Sequence, residues 1–352
     1  MKRAFLIISL SIFCFKTIEA KPISVALFYP RSEVFWDRLV FLAEAAATDL
    51  DMKIKTINGK DNHISMLNLL SNMLKNDKPD VVVFNNFKHI AAKFIELTNQ
   101  AKVYSFLINS DLYPKDKERI GAPRDLYPFW IGQMLPGEET AGIEIANMLF
   151  KKVKNIVAIN GVRGTGAAIM RESALKKALT NSDVNLKQVF YTNQWSREPS
   201  AILTERMFRR YPNVQGIWTA NFSLALGAMD GVEKLGRNPG KDIYVTGYDI
   251  PKQILENIKN KKILATTGGH FIEGAWAMVI IHDYFNQLKT PLKMKTPMAI
   301  VTKDNVELYL KKVTNEKLTR ENAKKINFKQ YSKKYNKKKS YNFDLDSILE
   351  QL

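Results

Sequence analysis

Cysteine is almost absent from this 352-residue sequence, which contains a single one, Cys14. A chain that lacks cysteine beyond this position cannot form disulfides, bind a metal through thiolates or use a thiol nucleophile. Its folded part must be stabilised by a hydrophobic core. About 330 residues remain after the first 20, which is enough for two domains.

Long apolar runs are also missing after the first 20 residues. Two basic residues precede an apolar run over residues 4–15, which is too short to span a bilayer, and the small Ala20 follows. This pattern predicts a secretory signal peptide over residues 1–20, cleaved after Ala20. A lipoprotein anchor at Cys14 is the alternative, but the bulky residue before it disfavours that signal. We expect a soluble, exported mature chain.

Acidic residues are missing from one part of a chain whose formal net charge is +18. Residues 324–339 contain eight lysines and no aspartate or glutamate. We interpret this basic carboxyl-terminal tail, residues 323–352, as a solvated and partly disordered surface. A docking patch for an acidic partner or an anionic membrane is the alternative. Nucleic acid is not expected as a partner of an exported chain.

Known catalytic motifs are absent. The chain has no G-x-S-x-G and no H-E-x-x-H, and its four histidines are scattered. The run "NGVRGTGAA", residues 160–168, has the wrong glycine spacing for a nucleotide-binding loop, so its glycines are expected to let the backbone approach a small ligand. An acid pair drawn from Glu33, Asp111 and Asp249 stays open. We predict no enzyme activity, no cofactor and no metal site.

The chain does contain a repeated alternation of short apolar runs and amphipathic segments. Strands are predicted over residues 23–29, 53–57, 80–84, 103–108, 155–160, 187–191, 216–219, 243–247 and 263–267, with helices between them. Residues 115–133 interrupt this rhythm and are predicted to be irregular. The alternation indicates βαβ units and parallel sheets covered by helices, and its restart near residue 135 predicts two lobes.

Polar and aromatic side chains follow many of these strands. Ligands of open parallel sheets bind beyond the carboxyl ends of the strands. Amides, carboxylates, arginines and aromatic faces together suit a small polyhydroxylated molecule such as a sugar. The candidate ligand-binding residues are Glu33, Phe35, Trp36, Asn109, Arg171, Trp195, Asn221, Asp249 and His270.

A purely structural role stays open for several candidates. The alternatives are core packing for Phe35 and Trp36, a surface position for Arg171, a loop position for His270, and helix capping for Asn221 and Asp249.

Three stretches carry a resemblance to a known family: "GTGAAIMRESALKKAL", "YPNVQGIWTANFSLALGAMDGVEKLG" and "IYVTGYDIPKQILENIKNKKILATTGGHFIEGAW". They resemble the type I periplasmic binding proteins for sugars, the ribose and galactose binding group, over residues 23–301. The resemblance implies an α/β fold with two Rossmann-like, doubly wound lobes that close on a ligand about a hinge. The three crossings of that hinge are expected near residues 132–135, 267–269 and 299–302.

The implied lobes have definite limits. The N-terminal lobe comprises residues 21–133 plus 269–299, and the C-terminal lobe comprises residues 134–268 plus 300–322.

The resemblance also implies roles for the candidate residues. Phe35 and Trp36 would sandwich the sugar face, with Trp195 as the aromatic of the second lobe. Arg171 would donate to ring or hydroxyl oxygens, Asp249 would accept from two hydroxyls, and Asn221 matches the asparagine of the family.

Three departures from the family pattern change the expected hydrogen bonds. Glu33 replaces an asparagine, Asn109 and Ser110 replace an Asp-Arg pair, and Gly269 or His270 falls on a glutamine. Buried polar groups discriminate strongly between ligands, so ribose or galactose itself is not the expected ligand.

The family resemblance implies a monomeric periplasmic protein that delivers a carbohydrate-like ligand to the permease of an ABC importer. The tail and the Phe35–Trp36 pair resemble, more distantly, the periplasmic receptor for autoinducer-2. The alternative is therefore a sensory binding protein that acts on a membrane sensor kinase or chemoreceptor. An enzyme on the same scaffold is the third possibility.

Overall fold

A computed structural model of the chain describes residues 21–313, 317–337 and 340–352, so the predicted signal peptide lies outside the described residues. The strands, in chain order, are β1 (Ser24–Tyr29), β2 (Lys53–Asn58), β3 (Val81–Asn85), β4 (Tyr104–Ile108), β5 (Trp130–Pro136), β6 (Asn155–Asn160), β7 (Asn185–Tyr191), β8 (Gly216–Thr219), β9 (Tyr244–Tyr248), β10 (Ala265–Gly268), β11 (Lys293–Thr296) and β12 (Ala299–Thr302).

The helices cover both faces of the sheets that these strands form. They are α1 (Val34–Asp49), α2 (His63–Asn76), α3 (Ala91–Gln100), α4 (Pro114–Ile120), α5 (Glu138–Phe150), α6 (Gly166–Thr180), α7 (Arg197–Arg210), α8 (Phe222–Lys234), α9 (Lys252–Lys259), α10 (Glu273–Phe285), α11 (Val306–Val313), α12 (Arg320–Ala323) and α13 (Asp346–Leu349). Short 3₁₀ turns occupy Phe87–His89, His270–Ile272 and Lys329–Tyr331.

The strands form two six-stranded sheets, one in each lobe. The first has the order β11-β5-β4-β3-β1-β2 and is parallel throughout. The second has the order β12-β10-β9-β8-β6-β7, with only β12 antiparallel to its neighbour. All five residues of β3 are buried, as expected for a strand covered on both faces. The predicted two-lobe α/β fold is confirmed.

The segment predicted to be irregular is partly regular. Pro114 occupies the first turn of α4, where a missing backbone N–H costs nothing. The segment ends in β5, a buried strand that contains Gly132 and Gln133 and has an irregular register against β4. A glycine and a buried polar residue hide this strand from a pattern of apolar runs.

Three neighbouring connections join the lobes: β5 to α5, the 3₁₀ turn between β10 and α10, and β11 to β12. The first and third are hydrogen-bonded to each other, because the backbone N of Gly137 donates to the carbonyl of Thr296 at 2.8 Å. The sequence places the first crossing near residues 132–135, whereas β5 pairs with β11 as far as Pro136. The chain therefore leaves the first sheet only after Pro136.

The tail differs most from its sequence interpretation. Phe328, Tyr331 and Phe343 are buried around Trp276 of α10, and the Phe343 ring stacks on the indole at 4.4 Å. The expectation of partial disorder is wrong for the described residues of the tail, whereas lysines such as Lys324, Lys325 and Lys334 are exposed to solvent as expected. Within the same described parts of the chain, no helix is both long and apolar enough to cross a membrane.

Candidate functional site: the cleft between the lobes

A cleft of about 420 Å³ lies at the carboxyl ends of the strands of both sheets. Its lining includes all nine candidates that the sequence singled out, from both lobes. Their contacts with a ligand stay a prediction. The lining also contains polar residues outside that set, among them Arg31, Asp61, Asn85, Asn86, Lys88, Ser110, Asn193 and Gln194.

An aromatic wall closes the first-lobe side of the cleft. The rings of Phe35 and Trp36, in the first turn of α1, meet edge to face with centroids 5.0 Å apart. Trp36 is only 6% exposed and belongs to the hydrophobic core, so it serves as core and as lining at once. Phe35 also lies against the ring of His270, 4.6 Å between centroids. The core alternative for this pair therefore holds together with the cleft position.

The second-lobe aromatic depends on a glycine. A Cβ atom on Gly161 would lie 2.4 Å from atoms of the Trp195 ring, so only glycine admits this indole. The glycine-rich run after β6 thus has a packing role at Gly161, against the cleft tryptophan.

The buried arginine of the cleft, Arg171, forms an ion pair with a carboxylate behind it. Arg171, in α6, donates from Nη2 and Nε to the carboxylate of Glu138 at 2.8 and 2.9 Å, and from Nη1 to the carbonyl of Ala220 at 2.7 Å. Its side chain is 7% exposed and that of Glu138 is 4% exposed, so the surface alternative for Arg171 is wrong. Burial alone would lower the pKa of Arg171, but Glu138 and then Asp249 raise it above its usual value.

The ion pair limits what Arg171 can offer a ligand. Three of its five N–H groups are engaged within the protein, and two are left to donate. Glu138 is a partner of the site that the sequence missed, and it lies outside the cleft lining. It begins α5 directly after the first crossing, and nothing in the sequence pairs it with an arginine 33 positions away.

Asp249 lies beside this pair, at the end of β9, in the left-handed backbone region with φ +71°. Burial raises the pKa of its carboxyl to about 6; Arg171 opposes this increase, whereas Glu33 and Glu138 add to it. Helix α9 has Pro251 as its N-cap, without a side-chain cap, so the capping alternative for Asp249 is wrong. Its side chain lines the cleft, beside the backbone N–H of Phe222 at the start of α8.

Asn221 does cap a helix. Its Oδ1 accepts a hydrogen bond from the backbone N of Leu224 at 2.9 Å, at the start of α8. Since the oxygen is committed to the helix, only the amide NH₂ of Asn221 is left to donate into the cleft.

His270 and Asn109 are two further polar residues of the lining, from the second crossing and from the end of β4. His270 is 2% exposed, and burial, reinforced by Arg171, holds its pKa well below the usual value, so the imidazole is neutral. Its Nδ1 has no hydrogen-bond partner among the described residues. Asn109 has φ +66°, and its Oδ1 accepts from the hydroxyl of Ser110 at 3.1 Å.

The rim of the cleft carries a more exposed charge cluster. Arg31 donates from Nε to Glu33 at 2.9 Å and from Nη1 to Asp61 at 3.3 Å. The side chain of Glu33 is 33% exposed and that of Asp61 is 58% exposed. Glu33 is also the N-cap residue of α1 but makes no side-chain cap hydrogen bond.

A hydrogen bond joins the lobes beside the cleft. The hydroxyl of Tyr113, in the first lobe, donates to the carbonyl of Gly164, in the second lobe. The ring of His89 stacks on Tyr113 with centroids 3.5 Å apart. The lobes are therefore in contact next to the cleft lining.

The third carboxylate of the acid-pair hypothesis does not reach the cleft. Asp111 lies outside the cleft lining and pairs with Lys117 at 2.6 Å. Among the described residues, no cluster of three or more histidine, cysteine, aspartate or glutamate side chains could hold a metal.

Comparison with known proteins agrees with this geometry. The model of the periplasmic binding protein domain family matches residues 23–287, three quarters of the chain. The ribose import binding protein of Bacillus subtilis is 27% identical over 168 residues, 47% of this chain and 52% of that protein. The chain is thus matched to about half the length of this relative.

Solved structures match over more of the chain. A periplasmic sugar-binding protein from Pseudomonas fluorescens is 26% identical, with a TM-score of 0.81 over 93% of this chain and 99% of that one. A periplasmic solute-binding protein from Actinobacillus succinogenes with bound D-allose is 21% identical, with a TM-score of 0.73 over 82% of this chain and all of that one, and shows the likeness of the fold.

Proposed function

This chain belongs to the periplasmic binding protein family, and from that premise we propose that it captures a small polyhydroxylated, sugar-like ligand in the cleft between its lobes. The lobes close on the ligand about the three-stranded hinge, and the loaded protein delivers it to an ABC importer.

The convergence of the nine candidate side chains on one cleft carries this proposal. Aromatic faces cover the apolar C–H faces of a sugar, while directed amides and a carboxylate bind its hydroxyls. The volume of about 420 Å³ lies within the usual range of small-molecule sites. The relatives matched by sequence, including the ribose import binding protein, are named for sugars of this size.

The charge balance of the cleft favours an uncharged ligand. Arg171 is neutralised by Glu138, and Arg31 is shared by Glu33 and Asp61. An anionic sugar would meet the carboxylate of Asp249, and the further cation of the lining, Lys88, is an exposed side chain whose Nζ lies over the ring of Phe87. A neutral sugar can donate hydroxyls to Asp249 and accept the remaining N–H groups of Arg171.

The partners and the location follow from the family. We propose a monomer in the periplasm, exported by the signal peptide over residues 1–20, that binds its ligand without turning it over. A sensory protein that acts on a membrane kinase or chemoreceptor stays the alternative prediction, resting on the likeness of the tail to an autoinducer receptor.

Mass spectrometry of small molecules released from the purified protein tests the proposal, followed by thermal unfolding with D-ribose, D-allose, L-arabinose, myo-inositol and D-glucuronate. A neutral ligand at a hundred times its dissociation constant should add about 2.7 kcal/mol to the stability. Asp249→Asn should abolish that increase, and D-glucuronate should have no effect. Stabilisation by glucuronate alone, or equal stabilisation of the variant, would contradict the proposal.

A further inference from the structure

The described residues of the carboxyl-terminal segment, 317–337 and 340–352, pack across the hinge; we call them the strap. We propose that the strap holds the two lobes in the arrangement in which they touch, and so sets how readily the empty protein opens. This inference concerns the movement of the lobes and is independent of the identity of the ligand.

The chain connects the lobes a fourth time on its way into the strap. Helix α11 belongs to the second lobe, where it packs against α9 and the side chain of Glu307 pairs with Lys259 at 2.9 Å. Helix α12 packs against α1 of the first lobe, and Arg320 pairs there with Glu44. The sequence assigns residues up to 322 to the second lobe, whereas α12 lies on the first.

The strap is anchored firmly in the first lobe. Phe343 stacks on Trp276 of α10 with an interplanar angle of 11°. The buried carboxylate of Asp283 accepts from the backbone N of Lys333 at 2.7 Å and from the hydroxyl of Tyr341 at 2.6 Å. Stacked aromatics and charge-assisted hydrogen bonds of this kind fix the course of the segment on α10.

From this anchor the strap reaches a hinge crossing. Leu345 is 2% exposed, and its Cδ2 would lie 2.8 Å from a Cβ added to Gly269. Gly269 has φ +95°, a backbone conformation that favours glycine, and it lies in the second crossing, between β10 and α10. Hinge motion requires the backbone angles of crossing residues to change. A leucine packed directly on Gly269 favours the angles of the present arrangement.

The strap also faces the second lobe. Tyr309 of α11 is buried, and burial raises its pKa to about 12, with further increases from Asp346 and then Asp344 of the strap. Close by, Arg38 of α1 donates to the carbonyl of Val313 at 2.9 Å, which ties the end of α11 to the first lobe. Separation of the lobes would break the hydrogen bond between Arg38 and Val313 and would move Asp344 and Asp346 away from Tyr309.

The near-absence of cysteine makes a direct test possible. Ile64→Cys and Glu198→Cys introduce the only two thiols of residues 21–352, one on an exposed position of each lobe. Spin labels on these thiols report the distance between the lobes by pulsed electron resonance without any ligand. The labelled parent is compared with Leu345→Ala and with the matched control Ile326→Ala, which also truncates a buried aliphatic side chain of the strap.

We expect Leu345→Ala to raise the ratio of separated to touching lobes at least fivefold, while Ile326→Ala leaves the distance distribution unchanged. Tyr341→Phe, which keeps the ring and removes only the donor to Asp283, should change the ratio in the same direction by a smaller factor. Two results would overturn the proposal. One is a distance distribution that stays unchanged in Leu345→Ala and in Tyr341→Phe, although both proteins are folded. The other is an equal change in the control Ile326→Ala.

Discussion

The floor and the rim of the cleft use the same residue types in different ways. The floor, formed by Arg171, Asp249 and His270 with Glu138 behind Arg171, holds its charges almost out of contact with solvent, as the 4% and 7% exposure of the ion pair shows. The rim, formed by Arg31, Glu33 and Asp61, holds its charges partly in water.

This difference predicts that mutations of the buried charges reduce the stability of the fold, whereas mutations of the exposed charges hardly affect it. Buried charges are costly unless each is fully paired, so the floor has little tolerance for change. Exposed pairs contribute little to stability because water and salt screen them, so the rim can vary at small cost. The arrangement predicts a graded series of mutational effects from floor to rim.

The largest effect is expected at the floor. Glu138→Ala leaves the guanidinium of Arg171 buried without its carboxylate, and breaking such a pair costs about 3–5 kcal/mol. Urea denaturation should show this loss in the free energy of unfolding. A loss below about 1 kcal/mol would mean that water reaches the floor and that the contrast with the rim is false.

The next largest effect is expected for Asp249→Asn, which should stabilise the folded protein. Because the pKa of Asp249 is about 6 in the folded chain and 3.8 in the absence of such surroundings, the folded state binds more protons between these values. The contribution of Asp249 to stability therefore falls as the pH rises from about 4 to 6. Asp249→Asn, which tolerates a left-handed φ, removes this loss.

We expect Asp249→Asn to be more stable than the parent by about 2 kcal/mol at pH 7 and equal to it near pH 3.5. This value is smaller than the full pKa difference implies, because solvent in the cleft screens one side of the carboxyl group. Unfolding free energies of the two proteins across this pH range measure the difference. A difference that does not depend on pH would show that the carboxyl is not desolvated.

A smaller effect is expected where Tyr113 joins the lobes. Tyr113→Phe removes the hydrogen bond to the carbonyl of Gly164, worth about 1 kcal/mol. The spin-labelled protein should then show separated lobes about fivefold more often. Tyr127→Phe, which removes a hydroxyl of the same lobe that is not part of this bond, is the control and should show no change.

The smallest effect is expected for the exposed pair. Glu33→Gln removes one of the two carboxylates around Arg31 and should alter the free energy of unfolding by less than about 1 kcal/mol. A loss as large as that of Glu138→Ala would abolish the distinction between floor and rim.

The sequence predicts the fold well because parallel strands covered on both faces are unbroken apolar runs, as β3 and β6 illustrate. It misses β5, whose glycine and buried glutamine break that pattern. It misreads the tail because residues 324–339 contain eight lysines and no acidic residue, a pattern typical of a solvated surface. Tyr341, Phe343 and Leu345 alternate with polar residues, but three apolar positions are too few to predict where this segment packs.

The cleft lining can be predicted from sequence positions directly after the strands, since residues after parallel strands meet at one edge of a sheet. The residues that the lining side chains contact within the protein cannot be predicted in this way. The engagement of Arg171 by Glu138 and the seat of Trp195 over Gly161 depend on which strands are neighbours, and an unaligned sequence does not contain that order.

Helix α1 has a consequence that reaches beyond the cleft. It starts at the aromatic wall and ends at Asp49, whose carboxylate accepts from the backbone N of Lys329 in the tail at 2.8 Å. Sixteen residues make a rod of about 24 Å. A partner that bound the lysine-rich tail would therefore contact one end of a rigid helix, and the other end of that helix carries the aromatic side chains that a sugar would contact.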